Sequence, residues 1–321
     1  MTSSQTVRPE LLEILTAPGT DEALAPTGSV LRQDSTGREY VVQDGIPILV
    51  ESSKLNDEKR TLQKFYEEYG WRRPEPGAFY NAQSRYGFDS RTLLEHRRIV
   101  NREQKRYFHE SGNLFLDCAS GAIPAKEYLE YSAGFRFHVC VDLTLSALKG
   151  ARERLGNRGL YVNADGTKLP FRSNTFDDVL CSHTLYHIPQ HEQSNALLEF
   201  CRVLKPGGRC VVYYNLGEHS PIGRALRPLI WAKRLRNRYG KARKMYSHHH
   251  PLRWFDQFVG PFRKLDVHVY RLLPNQVMKY LLPNSPLFNR LGEKITPRLR
   301  QLEQNDAMAK YAQYVTVVLE K

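Results

Sequence analysis

Two carboxylates stand at the ends of short apolar runs, and each is placed where a cofactor could use it. The run Leu114–Cys118 contains Asp117 and continues into Ala119-Ser120-Gly121-Ala122. The run Phe137–Asp142 ends on its own carboxylate. A turn of small residues lets the backbone approach a ligand closely, and a helix that follows offers its N-terminal amides. A carboxylate closing a second strand can accept hydrogen bonds from both hydroxyls of a ribose. Alone, an Asp at a strand end is a common turn or cap residue, and a small-residue turn serves tight packing. Together, at this spacing, they point to a nucleoside-containing cofactor.

Charge narrows the choice. A dinucleotide site requires G-x-G-x-x-G, because pyrophosphate packs on bare backbone. Here Ala119, Gly121 and Ile123 occupy the corresponding places, and Asp117 precedes them. A carboxylate beside pyrophosphate is repulsive, whereas beside a sulfonium and an ammonium it is favourable. S-adenosylmethionine has both cations and no phosphate, so the charge argument selects it.

The elements that must position these groups alternate regularly. Strands are predicted at Leu114–Cys118, Phe137–Asp142, Leu160–Asn163, Asp177–Ser182 and Arg209–Tyr214. Helices are predicted between them, at Ala125–Tyr131, Ser146–Leu155 and His191–Leu204. Short strands separated by helices make βαβ units and a parallel sheet covered on both faces. Two further strands are expected at Leu265–Leu272 and Tyr314–Glu320. The fold class is therefore α/β: a Rossmann-like, seven-stranded, mostly parallel sheet with helices on both faces. Around it we expect a small β-rich module at 1–54 and a helical lead-in or cap at 55–110. The main domain then covers 111–321, with insertions at 217–252 and 274–311.

The 321 residues carry 47 Lys and Arg against 34 Asp and Glu, a net charge of +13. That charge is unevenly placed. Residues 1–60 hold six basic and ten acidic side chains, and residues 221–321 hold twenty and six. The stretch Arg224–Lys244 has nine basic residues and no acidic one. An anionic partner near this region is implied: a membrane surface, a nucleic acid or a phosphorylated substrate. The five cysteines are odd in number, widely spaced and mostly inside apolar segments. They read as buried free thiols in a reducing compartment, hence a cytoplasmic enzyme. No signal peptide and no membrane-spanning run is read.

With these residues in view, a resemblance becomes specific. Leu116-Asp117-Cys118-Ala119-Ser120-Gly121 resembles the L-D-x-G-x-G signature of class I methyltransferases, and Val141-Asp142-Leu143 resembles their second-strand acidic motif. Asn163-Ala164-Asp165-Gly166-Thr167-Lys168-Leu169-Pro170-Phe171 is similar to the segment D-A-x-x-L-P-F of quinone-biosynthesis methyltransferases. Phe176–Ile188 and Arg202–Gly208 continue the match. The resemblance implies that Asp117 and the backbone of Ala119, Ser120 and Gly121 hold the methionine moiety. By the same resemblance Asp142, with Leu143 beside it, binds the ribose, and Asp165 with Gly166 flanks the adenine. Ser182 with His183 would close the site beside the sulfonium. This sequence departs from the family at two glycines, which are Ala119 and Ile123 here.

Residues 11–50 bear a second resemblance, to the small zinc-ribbon family of methyltransferase activators. The positions matching that family's four cysteines are Ala17, Thr20, Gln33 and Thr36, so a fold without metal is expected. Its core would be Leu11, Leu15, Ile46, Ile48 and Leu49. In the basic region, Pro221–Met245 reads as an amphipathic helix or helix pair, with Ile222, Leu226, Leu229 and Ile230 on one face and Trp231 beside them. His248-His249-His250 reads as loop residues capping the site, since three adjacent histidines cannot converge on one ion from regular structure.

The function expected is methyl transfer to oxygen or carbon of a small-molecule or lipid-like acceptor, with His183 as the candidate base. Tyr66 or Tyr69 would cover the cofactor from the lead-in helix. The N-P-P-[YF] motif of amino-group methylation is absent, and Ser182-His183-Thr184-Leu185 stands in its place. Peripheral contact with an anionic membrane surface fits the basic region. The alternatives are an RNA-modifying methyltransferase using that same region and a non-catalytic cofactor-binding partner.

Overall fold

The computed structural model describes residues 6–51, 53, 55–71, 90–228, 245–283 and 285–321. Seven strands form the main sheet: β5 (Gly112–Cys118), β6 (Phe135–Asp142), β7 (Gly159–Asn163), β8 (Phe176–Ser182), β9 (Leu204–Asn215), β10 (Lys264–Arg271) and β11 (Tyr314–Glu320). Their order is β10-β11-β9-β8-β5-β6-β7. Strands β5 to β9 run parallel, and β11 lies antiparallel to both β9 and β10. Apolar side chains alternate between two cores. Leu114, Leu116, Val139, Val141, Val212 and Val317 face one, while Phe115, Cys140, Val211, Tyr213 and Val318 face the other. Burial on both faces is why these strands read as continuous apolar runs. The neighbours β5 and β8 are distant in sequence, and their junction is the switch point where α/β sheets bind ligands.

The helices follow the expected order with local differences. Helices α3 (Leu145–Leu155) and α4 (Gln193–Val203) are as read. The helix expected at Ala125–Tyr131 is only Tyr128–Tyr131. Behind Pro124 the chain makes successive i→i+3 turns, with the amides of Tyr128, Leu129 and Glu130 donating to Ala125, Lys126 and Glu127. Strand β9 begins at Leu204, earlier than the expected Arg209, because Lys205–Gly208 continue as strand. The region after β10 holds α5 (Asn275–Leu281) and α6 (Pro286–Glu303), then a short turn of helix at Asp306–Tyr311. All five cysteines are buried free thiols. Among the described residues no helix is long and apolar enough to cross a membrane.

The N-terminal module is a four-stranded antiparallel sheet in the order β1 (Ala25–Thr27), β2 (Val30–Gln33), β3 (Arg38–Gln43) and β4 (Ile46–Pro47). It covers the edge of the main sheet: Ile48 pairs in parallel with Asn163, and the amides of Leu49 and Val50 donate to the Asn163 carbonyl at 2.8 and 3.0 Å. Leu11, Leu15 and Leu49 are buried, but in one core of the main sheet, and Ile46 is buried in the other with Ile48 partly buried against it, so these residues join the sheet's cores where a core of the module's own was expected. At the four positions compared with zinc ligands, hydrogen bonds close the turns. Thr20 donates to the Ala17 carbonyl, and Gln33 Nε2 donates to Glu22 at 2.8 Å.

Two helices, α1 (Asp57–Phe65) and α2 (Arg91–Glu103), form the lead-in. Helix α1 is pinned to the main domain by Lys59, whose side chain is 5% exposed. Its Nζ donates to Asp165 at 2.6 Å and to Thr167 at 2.9 Å, and it also contacts Glu192. Gln63 Nε2 donates to the Leu143 carbonyl at 2.7 Å, and Glu67 caps the first amides of α3 at Leu145 and Ser146. Helix α2 packs on α6, where Gly292 meets Thr92 and His96 lies 2.9 Å from buried Glu303. Of the basic region, Pro221–Ala225 is helical and capped by Ser220. Leu229, Ile230 and Trp231, with the rest of 229–244, lie outside the described residues.

Candidate active site

The carboxyl ends of β5, β6 and β8 open into one cavity beneath α1 and the helical turn that continues it. Counting its open mouth, the space is about 940 Å³. From below, Asp117, Ala119, Ser120, Gly121, Asp142, Leu143, Ser182 and His183 line it; from above, Leu62, Gln63, Tyr66 and Trp71 do.

The turn after β5 keeps a glycine-loop backbone although two of the glycine positions are Ala119 and Ile123. Ala119, Gly121 and Ile123 have φ of +59°, +55° and +51°. A left-handed conformation costs an L-residue on the order of 1–2 kcal/mol, and most for a β-branched one. At Gly121 a side chain is excluded twice, because a Cβ there would also lie 2.3 Å from the Trp71 ring. Ala119→Gly relieves strain but frees the unfolded chain, so we expect a net stabilisation of roughly 0.5 kcal/mol. Chemical denaturation checks this; a loss of stability would mean that the methyl group contributes packing there.

The two carboxylates differ in character. Asp142 is already organised: Oδ2 accepts from the Gly121 amide at 2.9 Å, and Oδ1 accepts from the Thr144 amide and hydroxyl at 2.9 and 2.7 Å. Three of the carboxylate's roughly four lone-pair sites are thus occupied, which leaves about one for a ribose hydroxyl. Burial raises its pKa above the ordinary aspartate value, with the Thr144 and Gly121 hydrogen bonds opposing that shift. Asp117 is 1% exposed, and neither of its oxygens has a hydrogen-bond partner among the described residues. His138 Nε2 lies 3.4 Å away without hydrogen-bond geometry. A buried carboxylate in that condition suits a cationic group of a ligand in the cavity.

At the end of β8, Ser182 donates to the Tyr128 hydroxyl at 3.3 Å. His183 has φ of +57° and packs among Tyr213, Tyr270 and Tyr314. Arg271 Nη2 lies 3.2 Å from His183 Nε2. A guanidinium can only donate, so this nitrogen accepts and the ring proton sits on Nδ1. Asp165 and Gly166 lie beside the cavity and do not line it. Asp165 turns to Lys59 and Thr167, and Gly166 packs on Cys118 Sγ. Tyr66 joins the roof, stacked on Trp71 at 5.7 Å, while Tyr69 is half exposed. His248–His250 pack by the same end of the sheet: the His248 amide donates to Tyr186, and His249 Nδ1 bonds the Asn215 carbonyl.

Trp71, Gln63, Pro124 and Tyr128 line the cavity without having been singled out in the sequence. Only Gln63 lies on α1, where it follows the apolar Leu62; Trp71, Pro124 and Tyr128 carry no periodic signal for the cavity.

Comparison with known proteins agrees with this geometry. Residues 116–212 match a family described as a methyltransferase domain. A ubiquinone/menaquinone biosynthesis C-methyltransferase from Francisella philomiragia is 28% identical over 169 residues, which are 49% of this chain and 67% of the relative. The corresponding enzyme of Erwinia tasmaniensis is 38% identical over 93 residues, 27% of this chain and 36% of the relative. The chain thus spans between about a third and two thirds of these relatives' length. Among solved structures, an S-adenosylmethionine-dependent methyltransferase from Thermotoga maritima, titled a possible histamine N-methyltransferase, aligns with a TM-score of 0.50 at 16% identity. That alignment covers 81% of this chain and 99% of the other, and it speaks for the fold. Residues 116–212 thus match a methyltransferase domain, and the seven-stranded sheet built around them has the fold of the Thermotoga structure.

Proposed function

We propose that the chain transfers a methyl group from S-adenosylmethionine to oxygen or carbon of a small-molecule or lipid-like acceptor. The observation that carries this reading is the pair of carboxylates, one organised to take a ribose hydroxyl and one buried without a hydrogen-bond partner among the described residues. Asp117 would hold the ammonium group, with the Ala119–Gly121 backbone along the methionine chain. Asp142 would hold the ribose, with Leu143 beside it, and Asp165 and Gly166 would stand behind the adenine edge. When bound, the cofactor supplies a methyl carbon already activated by its sulfonium. What the chain contributes is orientation and dryness: Leu62, Tyr66 and Trp71 roof the cavity against competing water. Ser182 and His183 would border the acceptor. His183 serves as a base only once its Nε2 is released by Arg271, so its role is tested through His183→Ala and Arg271→Met together. The glycine-like backbone at Ala119 and Ile123 supports a working site over a non-catalytic one. Carbon methylation by the curated relatives favours a small organic acceptor. Buried free thiols support a cytoplasmic location.

Calorimetric titration with S-adenosylmethionine, S-adenosylhomocysteine and NADH tests the reading. The first two are expected to bind and NADH is not; binding of NADH alone would overturn it. The pH dependence is specific. Asp142 accepts a ribose hydroxyl when ionised, and its raised pKa means that it takes up a proton at a higher pH than an ordinary aspartate. Affinity is therefore expected to fall on acidification, starting above the usual aspartate range, and Asp142→Asn is expected to flatten that fall.

A contact with an anionic membrane surface is favoured by α6. Leu287, Leu291, Ile295 and Leu302 are exposed, and their spacing of four, four and seven residues puts them on one face of a helix. Arg290, Lys294 and Arg298, also exposed, run along the solvent side of that row. An apolar row edged by cations is the pattern of a helix lying in the lipid interface. The protein is expected to sediment with vesicles containing phosphatidylglycerol and not with pure phosphatidylcholine. Leu291→Glu is expected to weaken binding roughly tenfold. Equal sedimentation of this variant would remove α6 from the interface, and binding to RNA in place of vesicles would favour the nucleic-acid alternative.

A further inference from the structure

A second cavity lies on the far side of Tyr128 and Pro124 from the cofactor cavity, and these two residues line both. With its open mouth it measures about 930 Å³. Among the described residues its charged lining is mostly cationic: Arg97, Arg98, Lys126, Arg154 and Arg271 stand with Glu127, and Arg98 also lies 3.7 Å from Glu95. Arg97 and Arg271 are each 7% exposed. Concentrating cations in a partly desolvated cavity is costly, and a concave cationic wall focuses potential toward an anion.

The wall is also held in place. The Arg271 guanidinium lies over the rings of Tyr270 and Tyr314, at 4.6 and 4.9 Å from their centres. Its Nη2 reaches His183, which lines the cofactor cavity. Tyr270 donates to the Asn101 side chain at 2.6 Å, fixing the neighbouring wall. Arg271 thus lines the second cavity and touches a residue that lines the first, and a molecule that passes Tyr128 could have one end beside His183 and the other among the cations.

We infer that this second cavity holds an anionic group of the methyl acceptor, a carboxylate or a phosphate, and so sets which acceptors are methylated. The inference rests on the methyltransferase reading above. Arginine favours such groups because its planar donors match two oxygens at once. Glu127 is 4% exposed, and its Oε1 has no hydrogen-bond partner among the described residues. It suits a hydroxyl or protonated oxygen on the same ligand and would disfavour a ligand charged along its whole length.

The test uses the full chain saturated with S-adenosylhomocysteine, titrated with phenyl phosphate, benzoate and benzyl alcohol. Tighter binding of phenyl phosphate identifies a phosphate, and tighter binding of benzoate a carboxylate. Benzyl alcohol, the neutral counterpart, is expected to bind at least tenfold more weakly than the better anion. Arg154→Gln and Arg98→Gln, both outside the cofactor machinery, are expected to cost about tenfold each in anion affinity and to leave S-adenosylhomocysteine affinity unchanged. Equal binding of the neutral compound, no anion binding, or full anion affinity in both variants would overturn the inference. Failure of S-adenosylhomocysteine to bind the parent protein would instead overturn the cofactor reading beneath it.

Discussion

Asp117→Asn is expected to weaken S-adenosylmethionine binding about a hundredfold while leaving the fold at least as stable. The carboxylate is 1% exposed and lacks a hydrogen-bond partner among the described residues. In the free protein it is therefore a burden: a buried carboxylate that no hydrogen bond from a described residue compensates. Once an ammonium group arrives, the same carboxylate gains a charge-assisted contact in a low-dielectric setting. Removing one partner of such a pair costs about 3 kcal/mol of binding, roughly a hundredfold. The free protein should gain about 1 kcal/mol, since an amide is cheaper to bury than a charge. Calorimetry and denaturant unfolding read the two effects separately. Unchanged affinity would remove Asp117 from the ammonium site. Loss of stability would mean that the carboxylate serves as a structural partner of His138, whose Nε2 is 3.4 Å away.

Lys59→Met is the change expected to cost most in stability. It takes the cation from between two carboxylates, Asp165 and Glu192, which are about four-fifths buried. Breaking a buried pair from one side costs 3–5 kcal/mol. The partial exposure of the two carboxylates favours the lower end, about 3 kcal/mol. The loss is not confined to α1. Asp165 lies at the turn after β7, and its other oxygen accepts from the Thr167 amide and hydroxyl at 2.9 Å. Freed from Lys59, this turn and the roof above the cofactor loosen together, so cofactor affinity is expected to fall as well. Adding Glu192→Gln to Lys59→Met removes the repulsion left behind and is expected to recover about half of the lost stability. Unfolding of the single and double variants checks this. No recovery would mean that the destabilisation comes from lost packing of the lysine stem.

These variants divide between what local sequence carries and what it does not. Asp117 and Asp142 were legible because each ends an apolar run, and the small residues after Asp117 form a turn by themselves. Strand β11 was read at Tyr314–Glu320, its observed limits, because its apolar character ends abruptly on both sides. The short helix after Pro124 was overread: apolar spacing suited a helix, but the backbone settled into tighter i→i+3 turns. Asp165 and Gly166 were assigned through resemblance, and their contacts are with Lys59 and Cys118 beside the cavity.

The sequence alone determined the alternation of strands and helices, the order of the parallel sheet's elements and the two carboxylates at the switch point. Each of those follows from hydrophobic period and turn chemistry within a dozen residues. Tertiary structure decided what surrounds them. Lys59 meets Asp165 and Glu192 across 106 and 133 residues, Trp71 packs on Gly121, and Arg271 reaches His183 across 88 residues. No periodicity encodes such meetings. They depend on how the lead-in helices and the last strands settle over the sheet, and that is set by packing and charge compensation at long range.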